Sequence, residues 1–411
     1  MKVIIINDYG FINGGAAKVA IDSAIGLVKQ GFQVVFLCAV GPVAPELLGS
    51  DVKVICIGQT DILNDSNRLR AAVNGLWNVL AMRKMADLLL HYSPSDTIVH
   101  VHGWTKALSS SPIRIAIRRG FKVILTLHDY FVACPNGGFF DYPAKRICKR
   151  RPLSFSCVMR NCDVRSYPQK IWRVIRQIVQ KDIGRIPFGI SGFIAVSNFS
   201  LGILRKNLPS TNSIRVISNP IETNRAKPVN VASNQNFVCA SRLSEEKGVG
   251  LFAEAMKQLG YGGIVVGDGP LANKLRMQYP DMIYTGWQSA NDLLKILQQA
   301  RVLIFPSLWY EVQPLIVLEA MSLGIPVIVP DTSAAREIIT DGVTGLWFQG
   351  GDLGDLINKI RQCQNDPVLV ANLGLAAHQA FWSNPPTIKS HILKLIQMYK
   401  SILEPAPCIN N

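Results

Sequence analysis

PSLWYEVQPLIVLEA, Pro306 to Ala320, is the stretch whose reading decides the fold. It sets Glu311 and Glu319 on either side of seven residues that include one proline and a run of aliphatic side chains. The apolar run before it, Val302 to Phe305, reads as a buried strand, and the segment that ends at Gly324 reads as a helix. Pro314 suits the first helical position, where a missing N–H costs nothing. Glu311 then lies on the strand-to-helix loop beside the free N–H groups of the helix, and Glu319 about two turns in. A diphosphate could rest on those N–H groups and on the positive end of the helix dipole. The carboxylates would accept hydrogen bonds from sugar hydroxyls on either side. Taken alone, two glutamates at such a turn are more often a loop residue and a solvated helical one, so the surrounding chain has to decide.

Outward from this stretch, apolar runs alternate with helical patterns. They are Val3 to Ile6, Val34 to Val40, Thr97 to Val101, Val123 to Leu127 and Gly192 to Val196, then Phe237 to Ala240, Gly263 to Val266, Val302 to Phe305 and Pro326 to Val329. This is the rhythm of parallel sheets covered by helices on both faces. The 411 residues suffice for two domains with separate cores. A polar stretch, Glu222 to Asn236, reads as the linker and sets the boundary near residue 221. The expected division is 1–220 and 221–380, with a last helix over 381–403.

Composition narrows the function classes. With 48% hydrophobic and 17% charged residues the chain reads as globular. Its apolar runs fall short of the roughly 20 residues that a membrane span needs. MKVIIINDYG leads straight into a glycine-rich loop and reads as a first strand, not a leader. The net charge of +15 is unevenly placed: residues 1–220 hold 28 basic and 12 acidic side chains, residues 221–411 hold 15 and 16. Such a basic half suits an anionic bilayer or a phosphorylated acceptor. Without a recognition element, nucleic acid is not an expected partner.

Several local features carry chemistry. Gly14 and Gly15 precede a helical pattern, so backbone there could approach a phosphate or sugar. Arg242 and Lys247 share the loop after the strand Phe237 to Ala240, and arginine and lysine are the usual cations for phosphate. No Asp-x-Asp triplet for a catalytic metal occurs. His128 and Asp129 end the strand Val123 to Leu127, at the carboxyl edge where ligands bind in such sheets. Cys134, Cys148, Cys157 and Cys162 are separated by 13, 8 and 4 residues, without the paired spacing of common zinc sites. A structural zinc, two disulfides and unlinked thiols all stay open, and the scatter of the other five cysteines fits a reducing, cytoplasmic setting. In QKIWRVIRQIVQKDIGRI, residues 169–186, the apolar stripe Ile171, Val174, Ile175, Ile178 and Val179 opposes a polar face. It reads as an amphipathic helix packed on its own domain, the alternative being one that lies on the inner face of an anionic membrane.

Taken together, NGGAAKVAIDSAIGLVKQGFQV (13–34), LTLHD (125–129), ASRLSEEKG (240–248), VVGDGP (265–270), the Glu311/Glu319 pair and DGVTGLWF (341–348) resemble retaining glycosyltransferases of family 4. The resemblance implies the GT-B arrangement, two Rossmann-like doubly wound α/β domains facing a central cleft. The final helix would cross back onto the first domain. It further implies transfer of a hexosyl group from a UDP- or GDP-sugar, without a metal, to a glycan or lipid-linked acceptor in polysaccharide or lipopolysaccharide assembly. Arg242 and Lys247 would hold the diphosphate, Glu319 the ribose, Glu311 the donor sugar, and His128 would face that sugar. The backbone from Val312 through Gln313, Pro314, Leu315 and Ile316 would complete the sugar pocket. Gly267 and Gly269 would lie by the nucleoside, and Gly286, with Trp287, by the base after another strand. Val312 and Gln313 replace the family's commoner Gly-Phe, and a β-branched valine resists positive φ. No protein base is implied, since the departing phosphate accepts the acceptor proton. The reading of another class is a catalytically silent nucleotide-binding subunit of a transferase complex.

Overall fold

The computed structural model describes residues 1–210 and 212–404. In chain order its first part gives β1 (Lys2–Tyr9), β2 (Gln33–Val40), β3 (Lys53–Cys56), β4 (Thr97–Val101), β5 (Lys122–Leu127), β6 (Phe140–Asp141), β7 (Arg146–Ile147), β8 (Gly192–Ala195) and β9 (Ser213–Val216). The second part gives β10 (Asn236–Ala240), β11 (Ile264–Val266), β12 (Ile283–Gly286), β13 (Ala300–Ile304), β14 (Val327–Pro330) and β15 (Gly345–Phe348). The sheets run β3-β2-β1-β4-β5-β8-β9 and β12-β11-β10-β13-β14-β15, while β6 and β7 form a hairpin of their own. Pairing within both large sheets is parallel. Each sheet reverses its strand order once, between β1 and β4 and between β10 and β13, the crevice where such sheets bind ligands.

The strands found as apolar runs are the central ones. β4 and β13 are buried at every position, because each has a neighbour on both sides and helices on both faces. The strands β3 and β9 carry no such run. They are half-exposed edge strands: KVIC is only four residues long and opens on an exposed lysine, and in SIRV polar residues alternate with apolar ones. Tyr284, Thr285 and Gly286, expected after a strand, lie within β12, and only Trp287 follows it.

Two clusters of buried side chains cover the faces of the first sheet and a third fills the second domain. Ile217 belongs to the first domain's core and Ile221 to the second's. The last helix, expected over 381–403, spans Ile388–Leu403, because residues up to Ser383 belong to the preceding helix Pro367–Ser383. It returns to the first domain, where Ile392, Leu395, Met398 and Tyr399 pack among Val3, Ile5, Ala20 and Ala24. Polar contacts fix its register: Tyr399 OH lies 2.6 Å from His100 Nδ1, and His391 Nε2 lies 3.2 Å from Ser23 Oγ.

Leu395 is fully buried in that seam, whereas Leu393 on the same helix is 46% exposed. Leu395→Ala should therefore destabilise the protein by about 2–5 kcal/mol and Leu393→Ala by less than about 0.5 kcal/mol in urea unfolding. Equal losses in the two variants would mean that the helix is not docked through this face.

Candidate functional site

Two loops of the second domain bring Arg242, Lys247 and Glu311 to the cleft. The chain after β10 turns through Glu245–Lys247, and the chain after β13 runs from Phe305 to Pro314 before the helix Leu315–Ser322. They are held together by backbone. Leu308 N–H donates to Glu246 O at 2.9 Å, and Ser307 Oγ to the same oxygen at 3.3 Å. Gly248 has φ +67 and lies so close to Pro306 that an added Cβ would sit 2.0 Å from its carbonyl oxygen, which only glycine permits.

On this frame Lys247 and Glu311 meet, with Nζ 2.5 Å from Oε1, and Ser307 Oγ donates to the same carboxylate oxygen at 3.0 Å. Glu311 is buried, and the Lys247 ammonium also lies 5.1 Å from the Trp309 ring. Arg242 pairs with Glu246 at 2.6 Å, its side chain 65% exposed. Burial would raise the Glu246 carboxyl, but hydrogen bonds from Ser244 and its own N–H, together with the Arg242 charge, outweigh it and hold the group below its ordinary value. Both expected phosphate cations are thus present, each steadied by a carboxylate.

The helix Leu315–Ser322 begins one residue later than expected, with Pro314 as its N-cap. Amides in its first turn have no intrahelical acceptor. Opposite stands the N-terminus of Gly15–Val28, capped by Gly14, and a Cβ on Gly15 would lie 3.6 Å from Leu315 Cδ1. Two helix N-termini therefore converge across the cleft. Glu319 lies four residues after Leu315, about one turn into the helix and not two, and is half-buried. Burial raises its carboxyl, opposed by the Lys18 charge that reaches it from the first domain.

Val312 and Gln313 do something the sequence did not suggest. Val312 O accepts from Ser197 Oγ at 2.5 Å, and Gln313 Oε1 accepts from Asn219 N–H at 2.7 Å, so both tie the loop to the first domain. Val312 takes no positive φ among the described residues. Ile316 is half-buried in the first turn of the helix. Gly267 and Gly269 lie against the Arg242 loop: a Cβ on Gly267 would meet Ser241 O at 2.0 Å, and one on Gly269 would meet Leu243 O at 2.5 Å. Gly286 has open space around it, and Trp287 is 78% exposed on the rim.

From the first domain, His128 Nε2 lies 2.9 Å from His102 Nδ1 after β4, and burial with the His391 charge pushes His128 down to about 3. It is a neutral imidazole. Tyr130 is fully buried with an unpartnered OH, and the Glu311 charge contributes to raising it further. Lys18, Tyr130, His102, Ser307 and Glu246 were not singled out from sequence. Lys18 had a signal, as a cation one turn into the helix after Gly15, whereas Tyr130 owes its place to the chain path after β5.

The cysteine segment corrects two of its three readings. Cys134, Cys157 and Cys162 are buried, and the group among them is an ammonium: Lys170 Nζ lies 3.5 Å from Cys157 Sγ. Burial raises Cys134, and pushes Cys162 up to about 11. The described cysteines are free, and no three His, Cys, Asp or Glu side chains among the described residues are placed to hold a metal. Neither a zinc cage nor a disulfide fits a pocket that a lysine fills. Cys408 lies outside the described residues.

Residues 13–225 match the family model described as Glycosyltransferase Family 4, and residues 234–366 match Glycosyl transferases group 1. Among curated proteins, the UDP-Gal:alpha-D-GlcNAc-diphosphoundecaprenol alpha-1,3-galactosyltransferase of Escherichia coli is 31% identical over 147 residues, covering 32% of this chain and 37% of that protein. The uncharacterized 41.2 kDa protein in the cps region of Klebsiella pneumoniae is 25% identical over 61% of this chain and 70% of its own length. Among solved structures, Anabaena Alr3699/HepE in complex with UDP superposes with a TM-score of 0.66 at 16% identity, covering 98% of this chain and 100% of that one. That likeness is one of fold, the GT-B pair of domains.

Asp129, beside His128, is pushed up to about 6 by burial, against the Phe131 N–H and the charges of Lys106 and Arg176. The folded protein holds this proton more tightly than the unfolded chain, whose ordinary value is 3.8. Stability from this group is therefore fully present below 3.8 and is lost as pH rises to about 6. Relative to wild type, the Asp129→Asn Tm should climb through that window and then level off. Parallel Tm profiles for the two proteins would refute the burial account.

Proposed function

This chain belongs to glycosyltransferase family 4, and we propose that it is a retaining hexosyltransferase that uses a UDP- or GDP-sugar without a catalytic metal. The observation that carries this reading is the convergence of two helix N-termini beside Lys247 and Arg242, with Glu311 and Glu319 flanking them. A diphosphate leaving group gathers negative charge as the glycosidic bond breaks. Fixed cations and helix dipoles aimed at it stabilise that state without reorganisation.

In this reading residues 221–380 bind the nucleotide half and residues 1–220 the acceptor. Donor binding draws the Lys247 ammonium from Glu311 to the diphosphate and frees the Glu311 carboxylate for sugar hydroxyls. Glu319 takes the ribose hydroxyls, Gly267 and Gly269 line the nucleoside, and Gly286 lies by the base. His128, neutral, offers one ring nitrogen to the donor sugar. The acceptor proton leaves with the phosphate on the same face, so no side chain has to act as base. The E. coli relative's name, which specifies a diphosphoundecaprenol-linked sugar, supports a lipid-linked glycan as acceptor.

In EDTA, UDP or GDP should raise Tm selectively, while ADP and CMP should leave it unchanged. At 100 times its dissociation constant the gain is about 2.7 kcal/mol. Lys247→Ala and Glu311→Ala should lose nearly all transfer while keeping their secondary structure by circular dichroism. Selective nucleotide binding with no turnover of any donor would instead favour a silent nucleotide-binding subunit.

A further inference from the structure

The helix Tyr167–Ile178, with the turn Val179–Ile183 that continues it, turns most of its polar side chains inward. Its polar side chains face the protein: Lys170, Arg176, Gln177 and Gln180 are at most 6% exposed. Of its apolar stripe Val174 is buried and Ile171 and Val179 are half-buried, but the outer edge is open, with Ile175 and Ile178 each 45% exposed, Ile183 54%, and Phe188 just beyond at 55%. The inward polarity is satisfied by hydrogen bonds. Arg176 donates to Thr105 O and Pro135 O, each at 3.2 Å, Gln177 to Val132 O at 3.2 Å, and Gln180 to Phe131 O at 3.0 Å. The helix is amphipathic as its pattern predicts and packs on its own domain through its polar face and Val174, while Ile175 and Ile178 remain on the surface.

A second helix extends this face. Arg68–Leu76 lies alongside, with Trp172 Nε1 donating to Ala72 O at 3.2 Å and the indole against Gly75. It exposes Leu69 at 76% and Val73 at 55%, and Val79 and Leu80 continue outward after it. Single exposed apolar residues are ordinary, whereas a run of them on adjoining helices marks an interaction surface. Exposed cations border it, namely Arg68, Arg165, Lys181 and Arg185, while the buried carboxylates Asp65 and Asp163 are engaged by Arg70 and Arg173. Asp182 is the exposed acid on the helix and its continuation.

We propose that this face docks on an anionic bilayer surface, with Ile175, Ile178 and Ile183 and the neighbouring Leu69 and Val73 seated at the acyl boundary. The basic border selects this occupant: anionic headgroups complement it, whereas a second copy of the chain would set like charges against one another. The proposal rests on the lipid-linked acceptor reading for its purpose. Because Gln177, Gln180 and Arg176 hold the carbonyls of Phe131, Val132 and Pro135, the docked helix directly supports the loop that follows His128 and Asp129.

Vesicle flotation of the full chain tests it, with phosphatidylglycerol-containing vesicles against pure phosphatidylcholine at low and high salt. Wild type should float with the anionic vesicles and lose binding as salt rises. Ile175→Ser with Ile178→Ser should cut partitioning roughly tenfold, and Lys181→Gln or Arg185→Gln about fivefold each. The nucleotide-induced Tm shift should persist in each variant, which separates docking from donor binding. If that shift is absent while flotation holds, the functional reading fails and the docking surface stands. Wild type that ignores anionic vesicles, or variants that float like wild type, would overturn the proposal. So would a self-association seen by sedimentation velocity and abolished by the isoleucine substitutions.

Discussion

A lysine and a carboxylate in contact, Lys247 and Glu311, hold the cleft in shape. Both are largely shielded from water, so each charge depends on the other. Removing one partner of such a pair commonly costs about 3–5 kcal/mol through the stranded charge that remains. Around them the backbone leaves little freedom. Gly248 presses on Pro306, and Gly267 and Gly269 press on the carbonyls of Ser241 and Leu243. These glycines bring loops from β10, β11 and β13 to one place. The loops that carry Arg242, Lys247 and Glu311 are therefore in place before any ligand arrives.

The same loop also joins the two domains. Val312 and Gln313 give their polar groups to Ser197 and Asn219, and Tyr310 and Val312 pack on the core of the first domain. The returning helix Ile388–Leu403 adds a second tie through Tyr399 and His100, and His100 in turn bonds Thr126 at the end of β5, close to His128. A rotation of one domain against the other would be felt at the loop before the helix Leu315–Ser322 through Val312, and at His128 through this hydrogen-bonded chain. Residues chosen for sugar contact by family likeness thus also couple the domains.

Legibility in the sequence followed burial. Central strands such as β4 and β13 read clearly because water reaches neither face, while β3 and β9 were hidden by the polar positions that an edge allows. Glu311, Glu319, Arg242 and Lys247 were legible because short loops after strands bring them together. Lys18, Tyr130 and the partners Ser197 and Asn219 come from distant stretches, and no local spacing announces such contacts. The helix Tyr167–Ile178 showed its two faces but not which one turns inward, since that depends on carbonyls of the 131–135 loop waiting for donors. The cysteines hid their occupant for a similar reason: Lys170 reaches them from another helix.

The central claim is that fixed cations, and not a metal, receive the donor diphosphate. Phosphorus NMR of the preferred nucleoside diphosphate, titrated with protein in EDTA, tests it most directly. Both phosphorus resonances should move or broaden with wild type, and return toward their free positions with Lys247→Ala and with Arg242→Ala. Resonances that respond only when a divalent cation is added, or that respond equally to all three proteins, would contradict the account.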